Sequence, residues 1–193
     1  ITEEFALLMS AKKTPMVSTL AIGENYSRLV DHPEYLDQAL YQASLSRGEI
    51  KRLKTETYEE WKERAWTWWM KLMTPIAQEN IRKVHDAGGV VVLGTDQTIG
   101  PAVHREMELL ADAGIAPADI IRIATLNGAI FLGREHDMGS IEVGKLADAV
   151  LLNADPTADI DNAKDIALVM KNGEIIDEGD LPLAGTAQKR DRP

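Results

Sequence analysis

Cysteine is absent from the 193-residue sequence, which excludes disulfides, thiolate metal ligands and cysteine nucleophiles. Basic side chains are scarce too: 21 Lys and Arg stand against 31 Asp and Glu, a formal charge of −10. A phosphate-backbone partner needs the opposite balance, so nucleic acid is not expected. No apolar run approaches the roughly 20 residues of a membrane-spanning helix, and no signal-type segment is visible. The expectation is no membrane partner and, by default, a cytoplasmic location. The chain opens on Ile1 rather than Met, so an upstream segment, which could carry a signal, is compatible with it.

What is present is a hydrophobic content of 45%, enough for a sizeable core, in a chain shorter than the roughly 250 residues of a closed (β/α)₈ barrel. Thr2-Glu3-Glu4 has the form of a helix cap followed by an acidic first turn, and a helix is expected over about 3–13. The apolar run from Pro15 to Ile22 reads as a buried strand, with Gly23-Glu24-Asn25-Tyr26-Ser27 as the loop after it. From Pro33 to Ala87 the pattern is helical and charged; Pro75 marks a break or a new start, and Trp61, Trp66, Trp68 and Trp69 cluster. Those tryptophans suit packing against a barrel, a lid or an oligomer contact.

Val90 to Leu93 is a continuous aliphatic run, as expected of a strand covered on both faces. It ends at Gly94-Thr95-Asp96. A helix is expected from Val103 to Ala113, with Gly114 as its stop, and another from Pro117 to Leu132. This alternation predicts an α/β fold with parallel strands. Beyond Gly139 the pieces shorten: Ser140 to Val143, Ala149 to Leu152, and a hairpin in which Asn172-Gly173 joins Ala167–Lys171 to Glu174–Asp177. A boundary near Asp137 divides residues 1–137 from 138–193, and the tail from Pro182 is expected to be loosely ordered.

In parallel α/β architectures catalytic groups project from the carboxyl ends of strands, and Asp96 follows the most convincing strand in the chain. A carboxylate there suits metal ligation and proton transfer; an Asx turn or helix cap is an equal alternative on spacing alone. His104, eight residues on at a helix start, is a candidate substrate contact or a capping residue. Asn25 and Tyr26 are candidate substrate contacts in the loop after the first strand. His32 and His85 lie on charged helical stretches and His136 near the junction, positions that suit structural or solvated roles.

Gly94-Thr95-Asp96, His104 to Leu110, Ala113-Gly114-Ile115 and Ala124 to Ala129, followed by Gly139 to Leu151 and Lys171-Asn172-Gly173, together resemble the end of the catalytic barrel in the amidohydrolase superfamily. The similarity is to its imidazolonepropionase-like and prolidase-like branch, and it extends from Pro15 to Asp177. The resemblance implies that residues 1–137 are the last strands and helices of a (β/α)₈ barrel, and that 138–193 return to a small β-sandwich domain. It also implies a centre of one or two divalent ions, zinc first among them, held by a His-x-His, a Lys or Glu, two later histidines and a final Asp. Only that Asp maps here, as Asp96; no pair of the four histidines has the His-x-His spacing.

The activity so implied is hydrolysis of a C–N bond in a small amide, cyclic amide or peptide-like substrate by metal-activated water. It would require an upstream barrel segment or a complementary chain, with a homo-oligomer as the expected assembly. The competing expectation is a noncatalytic scaffold that has lost its metal centre.

Overall fold

The computed structural model describes residues 1–176; Asp177 and the tail from Pro182 lie outside the described residues. Helix α1 (Glu3–Lys12) starts where Thr2 Oγ1 accepts from the Phe5 amide at 3.3 Å, and it stops where Lys13 turns left-handed and returns its N–H to Met9 and Ser10. Strand β1 (Met16–Ser18) follows, then α2 (Leu20–Asp31). The predicted strand over 15–22 is therefore too long, and Gly23 to Ser27, predicted as a loop, lies inside a helix. Four apolar residues do not distinguish a buried strand from the first turn of a buried helix. Gly23 is not a turn residue: a Cβ there would stand 3.0 Å from Met70 Sδ, so its bareness lets α2 approach a later helix.

After α2 the chain makes a 3₁₀ turn (Pro33–Asp37), helices α3 (Ala39–Ser44) and α4 (Arg47–Arg52), a π-helical stretch (Leu53–Thr57) and α5 (Tyr58–Lys62). Ser46 and Glu49 form a reciprocal capping box at the start of α4. Leu29, Tyr35, Leu36, Tyr41, Leu45 and Ile50 bury one another in a cluster of their own, with Trp61 and Ile99 packed against it. Arg28 pins this segment to α2: its guanidinium lies 4.2 Å from the centre of the Tyr35 ring and donates to Tyr41 Oη at 2.9 Å.

Helix α6 runs from Ala65 to Asp86 with Pro75 inside it, so the expected break does not occur. Proline removes the amide that would bond the Lys71 carbonyl; Lys71 is on an exposed face, where water can take that place, while packing on α1 and α2 holds the helix together. Strand β2 (Val91–Leu93) pairs in parallel with β1, Met16 opposite Val91 and Ser18 opposite Leu93. Helix α7 (Pro101–Asp112) follows, then α8 (Pro117–Ala124) and α9 (Leu126–Phe131). One helix was expected in place of the last two; Thr125, at φ −126° and ψ −85°, departs from helical geometry and divides it.

The principal core gathers Leu20, Val84, Val91, Leu110, Ile120 and Ile123 between the strands and the helices. The fold class is α/β, as expected. After Asp137 come β3 (Ala149–Leu152), a 3₁₀ turn (Ile160–Lys164), β4 (Ile166–Lys171) and β5 (Glu174–Ile175), in an antiparallel sheet of order β3-β4-β5. This segment shares the first one's interior, because Ile160 and Ala163 join the principal core.

The β4–β5 turn has the expected form, with Asn172 at φ 52° and Gly173 at φ 82°. A Cβ on Gly173 would meet Ala147 at an ordinary 3.8 Å, so Gly173→Ala tests conformation rather than space. The expected outcome is a loss of about 1 kcal/mol, read as a lowered urea midpoint.

Candidate active site

The carboxyl ends of β1 and β2 lie side by side, and the pairing continues one residue further, where the Gly94 amide donates to the Ser18 carbonyl at 2.9 Å. Glycine is required at that place: a Cβ would come within 2.5 Å of Val17 Cγ1 and 3.0 Å of the Ser18 carbonyl oxygen. Gly94→Ala is expected to force the strand ends apart at a cost of about 1–3 kcal/mol, measurable by thermal unfolding. Two residues on, Asp96 sits at φ 50°, a left-handed conformation that Asp tolerates better than most side chains. Thr95 Oγ1 accepts from the Gln97 amide at 3.2 Å, closing the turn. Asp96 is exposed, and among the described residues no hydrogen bond or ion pair engages its carboxylate.

Asp96 stands at the rim of a cleft of about 600 Å³. At the strands' carboxyl ends the lining includes Thr19, Gly23, Tyr26 and Trp66; elsewhere it includes Met16 and Val17 of β1 and Ile81 of α6. Two of the four predicted site residues, Asp96 and Tyr26, therefore share one cleft. Asn25 and His104 are not among its lining residues. The Asn25 side-chain oxygen accepts from Tyr35 Oη at 3.1 Å and so ties α2 to the helical segment above. His104, half-buried, lies by Lys164 and Glu108; burial first, then the Lys164 charge, lowers its pKa, while Glu108 opposes both. It is neutral at neutral pH.

Sequence reasoning missed Glu106. Its side chain is wholly buried, with Oε1 accepting from the Leu20 amide at 3.0 Å and Oε2 from the Ala21 amide at 2.7 Å. Thr19, the N-cap of α2, makes no side-chain capping bond, so a carboxylate from α7 satisfies the amides that a helix start leaves free. Burial raises the Glu106 pKa; the Ala21 and Leu20 amides, Ser18 and Arg105 draw it back down. From the other side Gln97 Nε2 donates to the Ala21 carbonyl at 2.8 Å. The turn between β1 and α2 is thus clasped by Glu106 and by the neighbour of Asp96. A signal was present: Ala102, Glu106, Leu109 and Leu110 share helical spacing, which sets a carboxylate within an apolar stripe.

Arg105 braces the same two helices. It bonds both Glu24 oxygens, at 3.0 and 3.3 Å, and Glu108 at 2.6 Å, and Lys164 joins Glu108. Glu24 and Glu108 are each less than one fifth exposed, so this bidentate, shielded network is worth more than surface ion pairs.

No group of three or more His, Asp or Glu side chains among the described residues could hold a metal ion. A catalytic metal ordinarily has three protein ligands, and Asp96, unengaged and at a strand end, fits as one member of such a set.

Two parallel strands backed by helices, with a carboxylate at the carboxyl end of the second, are an α/β frame of the kind that sets chemistry at its strand ends. Residues 70–176 match the model of the Amidohydrolase family, and the chain belongs to that family. Within the superfamily it falls in the imidazolonepropionase-like and prolidase-like branch.

It is 40% identical over 87 residues to the imidazolonepropionase of Geobacillus sp. (strain WCH70), a match covering 42% of this chain and 20% of that protein. It is 28% identical over 167 residues to the imidazolonepropionase of Alkaliphilus metalliredigens (strain QYMF), covering 78% of this chain and 40% of that one. Among solved structures, a molinate hydrolase superposes with a TM-score of 0.63 at 25% identity, over 94% of this chain and 36% of the other. A Xaa-Pro dipeptidase with methionine bound in its active site gives 0.64 at 23%, over 92% and 38%, and shares the fold. The chain thus spans between 20% and 40% of the length of these two curated relatives. Among the described residues no helix is long and apolar enough to cross a membrane.

Proposed function

We propose that this chain supplies the closing strands and one metal-binding carboxylate of a hydrolase that cleaves a C–N bond in a small amide, cyclic amide or peptide-like substrate. In this reading β1 and β2 are the last strands of a (β/α)₈ barrel, and β3, β4 and β5 belong to the return segment of a β-sandwich. The observation that carries it is Asp96: a carboxylate without a structural partner among the described residues, held in a left-handed turn at the carboxyl end of a parallel strand.

Exposed apolar surface supports the barrel. Parallel sheets are covered on both faces, yet Val17 in β1 is 44% exposed and Trp68 on α6 is 63% exposed. Further strands from an upstream barrel segment would cover such surface and bring the remaining metal ligands. A divalent ion, zinc first among the candidates, supplies a water of lowered pKa and polarises the substrate carbonyl. Asp96 would hold that ion and take and return a proton through its free carboxylate oxygen. Thr19, Gly23 and Tyr26 would bound the space beside it, while Glu106 and Gln97 keep the first turn of α2 in place.

The test is metal analysis of the protein together with hydrolysis of a panel of linear amides, cyclic amides and dipeptides. The expected result is bound divalent metal and turnover of at least one class, both removed by a chelator. Turnover at full rate in the metal-stripped protein would overturn the reading.

A further inference from the structure

The helical segment over residues 33–62 has its own hydrophobic cluster, and that cluster reaches the candidate site by two routes. Ile99, in the loop that carries Asp96, packs against it. Trp61, which packs there too, also lies against Tyr26, with ring centres 4.4 Å apart and planes inclined by 33°. Tyr26 in turn lines the cleft that has Asp96 at its rim. Trp61 is not among the cleft's lining residues, so any effect it has there passes through Tyr26.

The wall that Tyr26 shares with Trp66, Met70 and Met73 is apolar, and among the described residues lining the cleft no side chain but that of Asp96 carries a charge. Such a surface gains free energy from burying hydrocarbon and presents no cationic side chain to a carboxylate or phosphate.

We propose that the segment over residues 33–62 buttresses the cleft wall from behind, and that Trp61 is a positioning residue which fixes Tyr26 as the wall receiving an uncharged apolar group of the substrate. This rests on the reading of Asp96 as the reacting end of the cleft. An aromatic ring held on one face by another ring keeps its rotamer, and ordering it in advance removes an entropy cost from binding. Without Trp61, Tyr26 is free to turn, and a bulky substituent loses its contact while a small one loses little.

The experiment compares wild type, Trp61→Ala and Trp61→Phe in the metal-loaded full-length protein. Its substrates are amides that share one scissile bond and differ only in side chain, from glycyl through leucyl to phenylalanyl. Trp61→Ala should raise KM for the phenylalanyl amide by about tenfold and leave kcat within roughly twofold, because contact with a hydrophobic pocket is worth that order of discrimination. The glycyl amide should change by less than about twofold, and Trp61→Phe should restore most of the preference. Equal losses on every side chain, or a folded Trp61→Phe that behaves like Trp61→Ala, would overturn the proposal. Thermal melts and metal content, unchanged in Trp61→Phe, separate this from general destabilisation.

Binding of N-acetylphenylalaninamide and N-acetylglycinamide, followed by calorimetry, keeps the test independent of turnover. If the protein hydrolyses no amide, the functional reading fails while a wild-type preference for the aromatic ligand, lost in Trp61→Ala, still upholds the positioning role of Trp61. No preference in the wild type overturns it.

Discussion

Asp96→Asn is expected to lower amide hydrolysis by roughly 10²–10⁴-fold, the range over which a positioned proton-transfer group contributes, and to reduce bound metal alongside. The substitution isolates charge from shape. Asn is nearly isosteric with Asp and tolerates the left-handed conformation that residue 96 adopts at φ 50°. The side chain is exposed and no ion pair among the described residues depends on it, so the change in folding stability should stay within about 0.5 kcal/mol. A neutral amide oxygen binds a divalent cation less well than a carboxylate and cannot accept the proton of its water. Activity and metal content should therefore fall together while the melting curve stays put. Equal metal and equal turnover in Asp96→Asn would show that the carboxylate is only a turn residue.

Glu106→Ala should have the opposite profile, with a large loss of stability whether or not substrate is present. The buried carboxylate accepts from two main-chain amides, at 3.0 and 2.7 Å. Removing it orphans both donors at the start of α2 and leaves a void. Hydrogen bonds to a charged group contribute about 1.5–3 kcal/mol each, so a loss of about 3 kcal/mol or more is expected even after relief of the buried charge. Urea denaturation measures it, and a loss below about 1 kcal/mol would mean that α2 is held by other contacts.

Glu106→Gln gives a pH signature as well. Because burial raises the Glu106 pKa above the ordinary glutamate value, the folded state holds this proton at a pH where the unfolded chain has released it. The stability this group contributes is fully present below the ordinary value and is lost as pH rises through the raised one. Gln has no such proton. The stability of wild type relative to Glu106→Gln should therefore decline with rising pH across that window; a constant difference would refute the buried assignment.

These two acidic residues differ in how they could be read. Asp96 was visible because its context is local: an aliphatic run, then Gly-Thr-Asp, then a helix, the strand-end arrangement that exposes a side chain above a parallel sheet. Glu106 was not, although its place in the apolar stripe of α7 hinted at burial. Its partners, the amides of Leu20 and Ala21, lie more than eighty residues away in sequence. The same distinction separates the candidate substrate contacts. Tyr26 does line the cleft, though it reaches it from a helix and not from the expected loop. Asn25, one residue earlier, is turned to Tyr35, because consecutive helical residues point about 100° apart. His104 was placed by its distance from Asp96 along the chain, but it sits by Lys164 and Glu108. Sequence separation does not say which face of α7 meets the site.

What the sequence by itself determined was whatever depends on neighbours along the chain. The left-handed Asn172-Gly173 turn, the caps of α1 and α4, the aliphatic strand β2 and the carboxylate two residues beyond Gly94 all follow from short-range sterics and hydrogen bonding. Tertiary structure decided the rest. It turned the second half of an apolar run into the first turn of α2, because Glu106 was there to accept its amides. It carried α6 unbroken through Pro75, because packing on α1 and α2 outweighs one missing hydrogen bond. It also set Tyr26, which lines the same cleft as Asp96, against Trp61, a juxtaposition across about thirty-five residues that only packing can make.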